Sequence, residues 1–379
     1  MTSVEGTVAD RYTGLRDELQ RRLDSGAECG ASIAVIERGE LVVDLWGGHA
    51  DALRTRPWER DTLTPVWSTT KTMTALVALM LVDRGELDLD RPVAHYWPEF
   101  AANGKQGVKV RHILSHSSGV PAWEQPVTVD DVYDWEKSTA MLAAQAPWWE
   151  PGTASGYHAF NMGHLVGEVV RRVTGRRLKT FFAEEVAGPL EADFFIGLPP
   201  EHHHRVAEIV PPPPRPSGFV PRPGSIQERS MRGPAVGAHE SNTEEWRRAD
   251  IGAANGHGNA RSVAAIQSVI SHGGQAHGVK LLSPSTIGLI LDEQTNGRDH
   301  VLGVPVRFGV GYALPLPGLL PYVPEGRLCF WGGLGGSLVV NDLDRGVTMA
   351  YMMNRMQSGV IGSENSAAYF SAYYAARSD

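Results

Sequence analysis

Strand-like segments lie near both ends of this chain, and helix-like segments occupy the stretch between them. Near the start, residues 31–37 and 41–46 are predicted to form a hairpin across a turn at residues 38–40. Near the end, further strands are predicted at residues 307–313, 328–331, 336–340 and 347–353, with a hairpin turn at 341–346. This arrangement favours a single antiparallel sheet built from both ends of the chain.

The remaining segments are predicted to be mainly helical. An amphipathic helix over residues 8–23 and a final helix over about 366–376 are expected to cover one face of the sheet. Further helices are predicted at residues 69–83, 112–115, 136–145, 161–174, 259–272 and 284–291.

We therefore expect an α+β fold with two lobes and an active site at their seam. Residues 1–60 and 250–379 would form the α/β lobe with the antiparallel sheet, and residues 61–249 a mainly helical lobe. Residues 210–224 are rich in proline, and each proline ring removes a backbone donor that a helix or central strand needs. This stretch is predicted to be an extended surface crossing within the helical lobe.

The overall charge and the apolar runs exclude several classes of partner. The chain has 35 Lys+Arg against 43 Asp+Glu, a net charge of -8. Nucleic acid is therefore not expected as a partner, because phosphate binding needs a basic face. The N-terminus does not resemble a secretory signal, and no apolar run is long enough to span a bilayer. A cytoplasmic protein without a membrane partner is predicted, and nothing in the sequence indicates its oligomeric state.

The strongest local feature is Ser68 followed three residues later by Lys71, at the start of an apolar helix. This pattern is typical of a serine nucleophile with a lysine neighbour. The two positions share a helix face, so the amine can approach the hydroxyl. A serine hydroxyl needs a base, and lysine can serve only when burial or nearby positive charge lowers its pKa from about 10.4. Taken alone, the pattern can also arise by chance, and the serine can be an ordinary helix N-cap.

Two further motifs carry candidate groups. Tyr157 follows the Pro151-Gly152 turn just before a predicted helix, where its phenol could exchange a proton with the serine. A surface tyrosine is the alternative. Residues 332–336 are almost all glycine, which in a strand often marks a close approach by a ligand or another segment. A simple bulge or tight turn remains the alternative.

Together, these motifs resemble the serine β-lactamase and penicillin-binding superfamily, specifically its class C-like branch. That branch contains class C β-lactamases, family VIII carboxylesterases, D-aminopeptidases and some acyltransferases. The matching pieces are Ser68-Thr69-Thr70-Lys71, Tyr157-His158-Ala159 and Trp331-Gly332-Gly333, and the resemblance covers roughly residues 10 to 375.

The resemblance implies a role for each matched position. Ser68 would be the acylated nucleophile, and Lys71 and Tyr157 the paired general base and acid. The backbone N–H groups of Ser68 and Leu334 would form the oxyanion hole. The implied substrate-binding residues are Trp123, Ala159, Trp331, Gly332 and Gly333.

Two departures from the β-lactamase pattern favour ester substrates. Ala159 stands where those enzymes have Asn, and Trp331 stands where they have Lys or His. A small-molecule ester is therefore the expected partner. Acyl transfer to another acceptor, cleavage of an amide, β-lactam or D-peptide, and a catalytically silent ligand-binding protein remain alternatives.

No metal ion or cofactor is expected. The adjacent histidines 202–204 do not share a helix face, and catalytic zinc usually needs better-spaced ligands; they are predicted to lie in a solvated loop. The chain contains no Gly-x-Ser-x-Gly and no phosphate-binding loop after a strand. His112 and His116 are interpreted as structural.

Overall fold

The computed structural model describes residues 3–212, 221–359 and 361–377. The strands in these residues are β1 (Glu5–Val8), β2 (Gly30–Glu37), β3 (Glu40–Gly48), β4 (Thr64–Pro65), β5 (Phe195–Ile196), β6 (Gly256–Gly258), β7 (Gln275–Ala276), β8 (Val279–Lys280), β9 (Thr295–Arg298), β10 (Pro305–Phe308), β11 (Ala313–Leu314), β12 (Leu328–Gly332), β13 (Leu338–Asp342) and β14 (Val347–Met353).

Nine of these strands form one antiparallel sheet in the order β1-β3-β2-β14-β13-β12-β11-β10-β9. The N-terminal hairpin joins the C-terminal strands through β2 and β14, where Ala31 lies opposite Met353 and Glu37 opposite Val347. The predicted sheet built from both ends of the chain is confirmed, and with it the α+β fold class. The short strand β4, which leads to Ser68, pairs instead with β6 in a separate three-stranded sheet.

The helices in the described residues are α1 (Thr13–Ser25), α2 (Thr70–Asp83), α3 (Val93–Tyr96), α4 (Val110–Leu114), α5 (Val129–Tyr133), α6 (Trp135–Ala144), α7 (Met162–Thr174), α8 (Leu178–Phe182), α9 (Ile226–Ser230), α10 (Ala238–Ser241), α11 (Glu244–Arg248), α12 (Ala260–Ser271), α13 (Pro284–Ile290) and α14 (Glu364–Arg377). None of them is long and apolar enough to cross a membrane.

Helices cover both faces of the large sheet. On one face, α1 packs against α14 and β3, and the Tyr351 ring of β14 packs against Tyr369 of α14 at 5.0 Å. On the other face, α12 packs against β2, β13 and β14, and Thr348 of β14 hydrogen-bonds to Ser271 of α12. Because both faces are covered, β14 is buried along its whole length, as continuous apolar strands in two-sided sheets are.

Helix α2 is the centre of the helical part. Its residues from Thr70 to Leu81 are all buried, and it contacts α7, α8, α12 and α13. A helix that is apolar on every side can be stable only in such a position. The largest apolar cluster runs from the sheet through α2 into α7, so these parts share one core. The lobe boundaries at residues 60 and 250 stay a prediction.

Several predicted boundaries were wrong. The first helix begins at Thr13 rather than at residue 8, because Glu5–Val8 pair with β3 as a strand. The predicted strand at 307–313 is two strands, since the chain turns at Gly311 with φ at 81°. The predicted turn at 341–346 begins later, because β13 continues to Asp342.

Two surface predictions have different outcomes. The histidines 202–204 lie in a 3-10 helix, Pro200–Arg205, and not in an irregular loop. Of the predicted proline-rich crossing at 210–224, residues 213–220 lie outside the described residues.

Candidate active site

Ser68 lies in a single 3-10 turn, Trp67–Thr69, that connects β4 to α2. The preceding Trp67 has φ at 50°, in the left-handed region that costs a bulky residue about 1–3 kcal/mol. Packing holds this conformation, because the buried Trp67 ring packs against that of Trp246, with 5.7 Å between the ring centroids. The turn places Ser68 at the N-terminal end of α2, with 8% of the residue exposed. The helix dipole there favours negative charge.

Lys71 is the second residue of α2, about one turn after Ser68, and is almost fully buried. Its Nζ is 3.2 Å from Ser68 Oγ, 2.7 Å from the Ala159 carbonyl oxygen and 2.9 Å from the Ala253 carbonyl oxygen. Burial lowers the pKa of Lys71 well below its ordinary value, because the ammonium form loses its hydration. A neutral amine has two N–H groups and one lone pair. In that neutral form, the two carbonyls would accept the two N–H groups and the lone pair would face the Ser68 hydroxyl.

Tyr157 lies against both of these groups. Its ring centroid is 4.7 Å from Lys71 Nζ, and its hydroxyl accepts a hydrogen bond from Trp331 Nε1–H at 3.1 Å. Burial raises the pKa of Tyr157 above its ordinary value, and hydrogen bonds with Ser68 and Trp331 oppose that rise. The phenol is therefore protonated at neutral pH. The amine and the phenol thus have complementary proton states, one able to accept a proton and the other to give one.

Two buried histidines support the ring of Tyr157. The His116 ring contacts it at 4.9 Å, and His116 Nδ1 accepts the His158 backbone N–H at 3.2 Å. His158 Nδ1 lies 2.8 Å from the Gly156 carbonyl oxygen and its Nε2 lies 2.6 Å from Ser118 Oγ. Burial lowers the pKa of His158 to about 3 and that of His116 well below its ordinary value. Both imidazoles are therefore neutral and act as a rigid support.

The glycine-rich turn after β12 lies against the turn that carries Ser68. A Cβ atom on Gly333 would lie 2.4 Å from the Val66 carbonyl oxygen and 2.9 Å from Trp67 Cβ, so only glycine permits this approach. Ser337 fixes the contact by donating its hydroxyl to the Val66 carbonyl oxygen at 2.9 Å. The Gly333 N–H donates a hydrogen bond to the Ser337 carbonyl oxygen at 2.8 Å, whereas the Leu334 N–H has no acceptor among the described residues.

A cavity of about 280 Å³ opens beside Tyr157. Among the described residues that line it, none carries a charge and most are apolar: Pro121, Ala122, Trp123, Tyr157, Ala159, Phe160, Asn161, Ser230, Met231, Gly233, Pro234, Ala235, Val236 and Val301. Trp123 contributes its ring here, because its Nε1–H is already bound to the Ser138 carbonyl oxygen. Among the larger cavities of the described residues, two of about 450 and 490 Å³ lie along the loop 315–326 and contain none of the predicted site residues.

The structure brings the predicted catalytic groups into contact with one another, but only Tyr157 among them lines the cavity. Ser68, Lys71, Tyr157 and Trp331 are linked by direct contacts, and Gly333 packs on the Ser68 turn. Trp123 and Ala159 share the cavity beside Tyr157. Gly332 packs within its own turn, where a Cβ atom would lie 2.8 Å from the Ser337 carbonyl oxygen. Elsewhere in the described part of the chain, no group of three or more His, Cys, Asp or Glu side chains is arranged to hold a metal ion.

Sequence reasoning missed the groups that act through the backbone. The carbonyls of Ala159 and Ala253 bind Lys71, yet a backbone carbonyl has no signature in a sequence. His116 was interpreted as structural. Its ring contacts those of Tyr157 and Trp331, so it lies directly beside the site. Asp299, which accepts the Tyr157 backbone N–H, follows a short edge strand in which no motif marks it.

Comparison with known proteins identifies the family. A family model described as Beta-lactamase matches residues 15–374. The esterase/beta-lactamase LipL of Mycobacterium tuberculosis is 35% identical over 348 residues, which cover 89% of this chain and 79% of that protein.

Two solved structures are similar over nearly the whole chain. A family VIII carboxylesterase is 39% identical with a TM-score of 0.92, covering 99% of this chain and 100% of that one. A penicillin-binding protein homologue from Caulobacter crescentus is 37% identical with a TM-score of 0.91 and the same coverage. These similarities support the prediction of a serine hydrolase and confirm the predicted superfamily: the chain belongs to the beta-lactamase family.

Proposed function

We propose that this protein is a serine hydrolase that cleaves carboxylic esters through an acyl-enzyme on Ser68. The observation that carries the proposal is the environment of Lys71. Its Nζ is surrounded by two carbonyl oxygens and the Ser68 hydroxyl, and burial lowers its pKa. This is the arrangement in which a lysine amine can act as a base towards serine.

In the proposed acylation step, Ser68 Oγ forms a bond to the ester carbonyl carbon while its proton passes to Lys71. The oxyanion of the tetrahedral intermediate accepts hydrogen bonds from the backbone N–H groups of Ser68 and Leu334, which cost no reorganisation because the fold fixes them. The C–O bond to the alcohol then breaks, and Tyr157 gives its proton to the departing oxygen and regains one from Lys71. Water repeats the sequence on the acyl-enzyme and releases the acid.

The cavity favours esters over β-lactam antibiotics. Its described lining carries no positive charge that could pair with the carboxylate of a β-lactam. The Trp331 indole N–H already donates to the Tyr157 hydroxyl, and Ala159 has no side-chain donor, so neither side chain offers a free donor to a β-lactam. A neutral acyl group of modest size suits such an apolar enclosure. The name of the family VIII carboxylesterase points in the same direction, whereas the name of LipL covers both activities.

The test is hydrolysis of p-nitrophenyl acetate and butyrate by the purified protein and by Ser68→Ala. We expect hydrolysis in the presence of the variant to be no faster than the uncatalysed reaction, because the variant lacks the group that becomes acylated. A fluorophosphonate should transfer its phosphonyl group to the Ser68 peptide of the wild type only, with loss of fluoride. Nitrocefin should be a much poorer substrate than either ester.

Ser268→Ala is the matched control, since Ser268 is also buried but lies in α12 and donates its hydroxyl to the Ala265 carbonyl oxygen. It should retain ester turnover. Full activity in a pure, folded Ser68→Ala protein would refute the proposed nucleophile, and a preference for nitrocefin would refute the proposed substrate class.

A further inference from the structure

Asp299 occupies the turn between β9 and β10 and is fully buried. A single oxygen of its carboxylate, Oδ1, accepts three backbone N–H groups. Two come from its own turn, Val301 at 2.9 Å and Leu302 at 2.8 Å. The third comes from Tyr157, at 3.0 Å and far away in the sequence. Asp299 therefore fixes its own turn and, with the same atom, binds the segment that carries Tyr157.

The segment 155–159 delivers two groups to the site at once. It carries the Tyr157 phenol, and the Ala159 carbonyl that accepts an N–H of Lys71 at 2.7 Å. On one side, this segment is held by His116, whose carbonyl accepts the Gly156 N–H at 2.8 Å. On the other side its backbone is bound by the turn at Asp299, where His300 also donates its N–H to the Ser155 carbonyl. A shift of the segment would move the phenol and the Lys71 acceptor together.

We propose that Asp299 is a positioning residue that sets the placement of Tyr157 and, through Ala159, of Lys71 relative to Ser68. This proposal rests on the proposed function of that site. Hydrogen bonds to a carboxylate are stronger than those between neutral groups, so Asp299 is a firm anchor for a loop. Displacement of a reacting group by about 1 Å is enough to lower a rate about a hundredfold.

The acceptor and the charge of Asp299 can be separated by substitution. All three N–H groups meet Oδ1, whereas Oδ2 is buried without a hydrogen-bond partner among the described residues. The amide oxygen of asparagine can therefore replace the whole set of contacts. Alanine removes the acceptor and leaves the Tyr157 N–H unpaired, so the loop is no longer anchored on this side.

The experiment compares Asp299→Asn and Asp299→Ala with the wild type. The readouts are the rate constant for fluorophosphonate labelling of Ser68, and kcat and KM for p-nitrophenyl butyrate. We expect Asp299→Ala to lower the labelling rate and kcat about a hundredfold with little change in KM. Asp299→Asn should restore both to within a few-fold of wild type. A residue that only stabilises the fold would affect the Tm and leave kcat of the folded fraction unchanged.

Asp342→Ala is the matched control. Asp342 is also fully buried and accepts a backbone N–H of its own turn, that of Arg345. It lies at the end of the β12–β13 hairpin opposite to Gly333. This variant should lose stability but keep the kcat and the labelling rate of wild type at a temperature where it is folded.

The outcomes distinguish the two proposals. Wild-type labelling rates in folded Asp299→Ala would overturn the positioning role. If the alanine variant does not fold, Asp299→Ser replaces it, because serine keeps a polar group that is too short to reach the Tyr157 N–H. A wild-type labelling rate in folded Asp299→Ser would likewise overturn the positioning role. A wild type that is labelled at Ser68 but hydrolyses no ester would contradict the proposed ester substrate, while the labelling rates would still test Asp299. A wild type that shows neither reaction would overturn both.

Discussion

Two buried lysines in this protein show how similar surroundings produce different chemistry. Lys105 Nζ donates to the carbonyl oxygens of Ala102, Ala143 and Gln145, and burial lowers its pKa to about 8. All three of its N–H groups therefore have backbone carbonyl acceptors, and its role is to connect these segments. Lys71 has only two carbonyl acceptors, and its third neighbour is a hydroxyl. Replacement of one carbonyl by a serine oxygen is what distinguishes a candidate base from a structural lysine.

The state of Lys71 leads to a prediction for the pH dependence of activity. Because burial lowers its pKa, the active amine form persists to a lower pH than an ordinary lysine would allow. We expect kcat/KM to fall on acidification through one ionisation that lies below about 10.4. No loss from Tyr157 is expected up to about pH 10, because burial raises its pKa.

Lys71→Arg, which cannot lose its proton, should be inactive at every pH. Lys105→Met is the control and should lower the Tm without moving the pH profile. An unchanged acidic limb in an active Lys71→Arg variant would show that another group is the base.

At the scale of elements, the close approach of the β12–β13 turn to the turn that carries Ser68 completes the site. Gly333→Ala would place a methyl group 2.4 Å from the Val66 carbonyl oxygen and 2.3 Å from Ser337 Oγ. Since backbone must move to relieve this contact, we expect kcat for p-nitrophenyl butyrate to fall by at least tenfold, together with a lower Tm.

Gly288→Ala in α13 is the control, because its methyl group would meet nothing within 4 Å. It should keep full activity and gain slightly in stability, since alanine favours the helix. Equal activity of the two glycine variants would show that the close approach is unimportant for the reaction.

The elements that could be predicted from the sequence are those with local signals. Helix α2 is a long apolar run that begins just after Ser68, and β14 is a continuous apolar strand, so their positions follow from neighbouring residues alone. Strand β1 was missed because its four residues show no alternating apolar pattern, and because they become a strand only by pairing with β3. The Ala253 carbonyl and the Asp299 contact were missed for the same kind of reason. Each depends on segments that meet only in the folded chain.

At the scale of the whole molecule, Glu28 links three elements of one sheet face. It lies just after α1 and is fully buried, and its Oε1 accepts hydrogen bonds from Tyr351 of β14 and Tyr369 of α14. Burial raises the pKa of Glu28 to about 8. The folded protein therefore holds a proton that the unfolded chain releases near pH 4.5.

This proton makes global stability depend on pH. Since the folded state binds more protons between about pH 4.5 and 8, the free energy of unfolding should be highest at the acidic end of this range and decrease as pH rises through it. Glu28→Gln should remove the decrease and be more stable than wild type at pH 8, by up to a few kcal/mol. Urea unfolding at several pH values measures this.

Glu37 on the same sheet face offers the opposite control. Burial raises its pKa, but hydrogen bonds from Tyr12 and Arg377 outweigh that effect and lower it. Its contribution to stability is therefore present above pH 4.5 and lost on acidification, so Glu37→Gln should be least harmful at low pH. A wild type whose stability is flat between pH 5 and 8 would contradict the role given to Glu28.

The pairing of β2 with β14 has a consequence for synthesis on the ribosome. A nascent chain that ends before Leu328 already contains Ser68, Lys71 and Tyr157 but lacks both the Trp331 indole and the Gly333 turn. Its β2 would have no neighbour on one side until the last strands emerge, because Ala31 pairs with Met353. Contacts between such distant segments form slowly. We therefore expect catalytic competence to arise only after the segment that contains β12, β13 and β14 has left the ribosome.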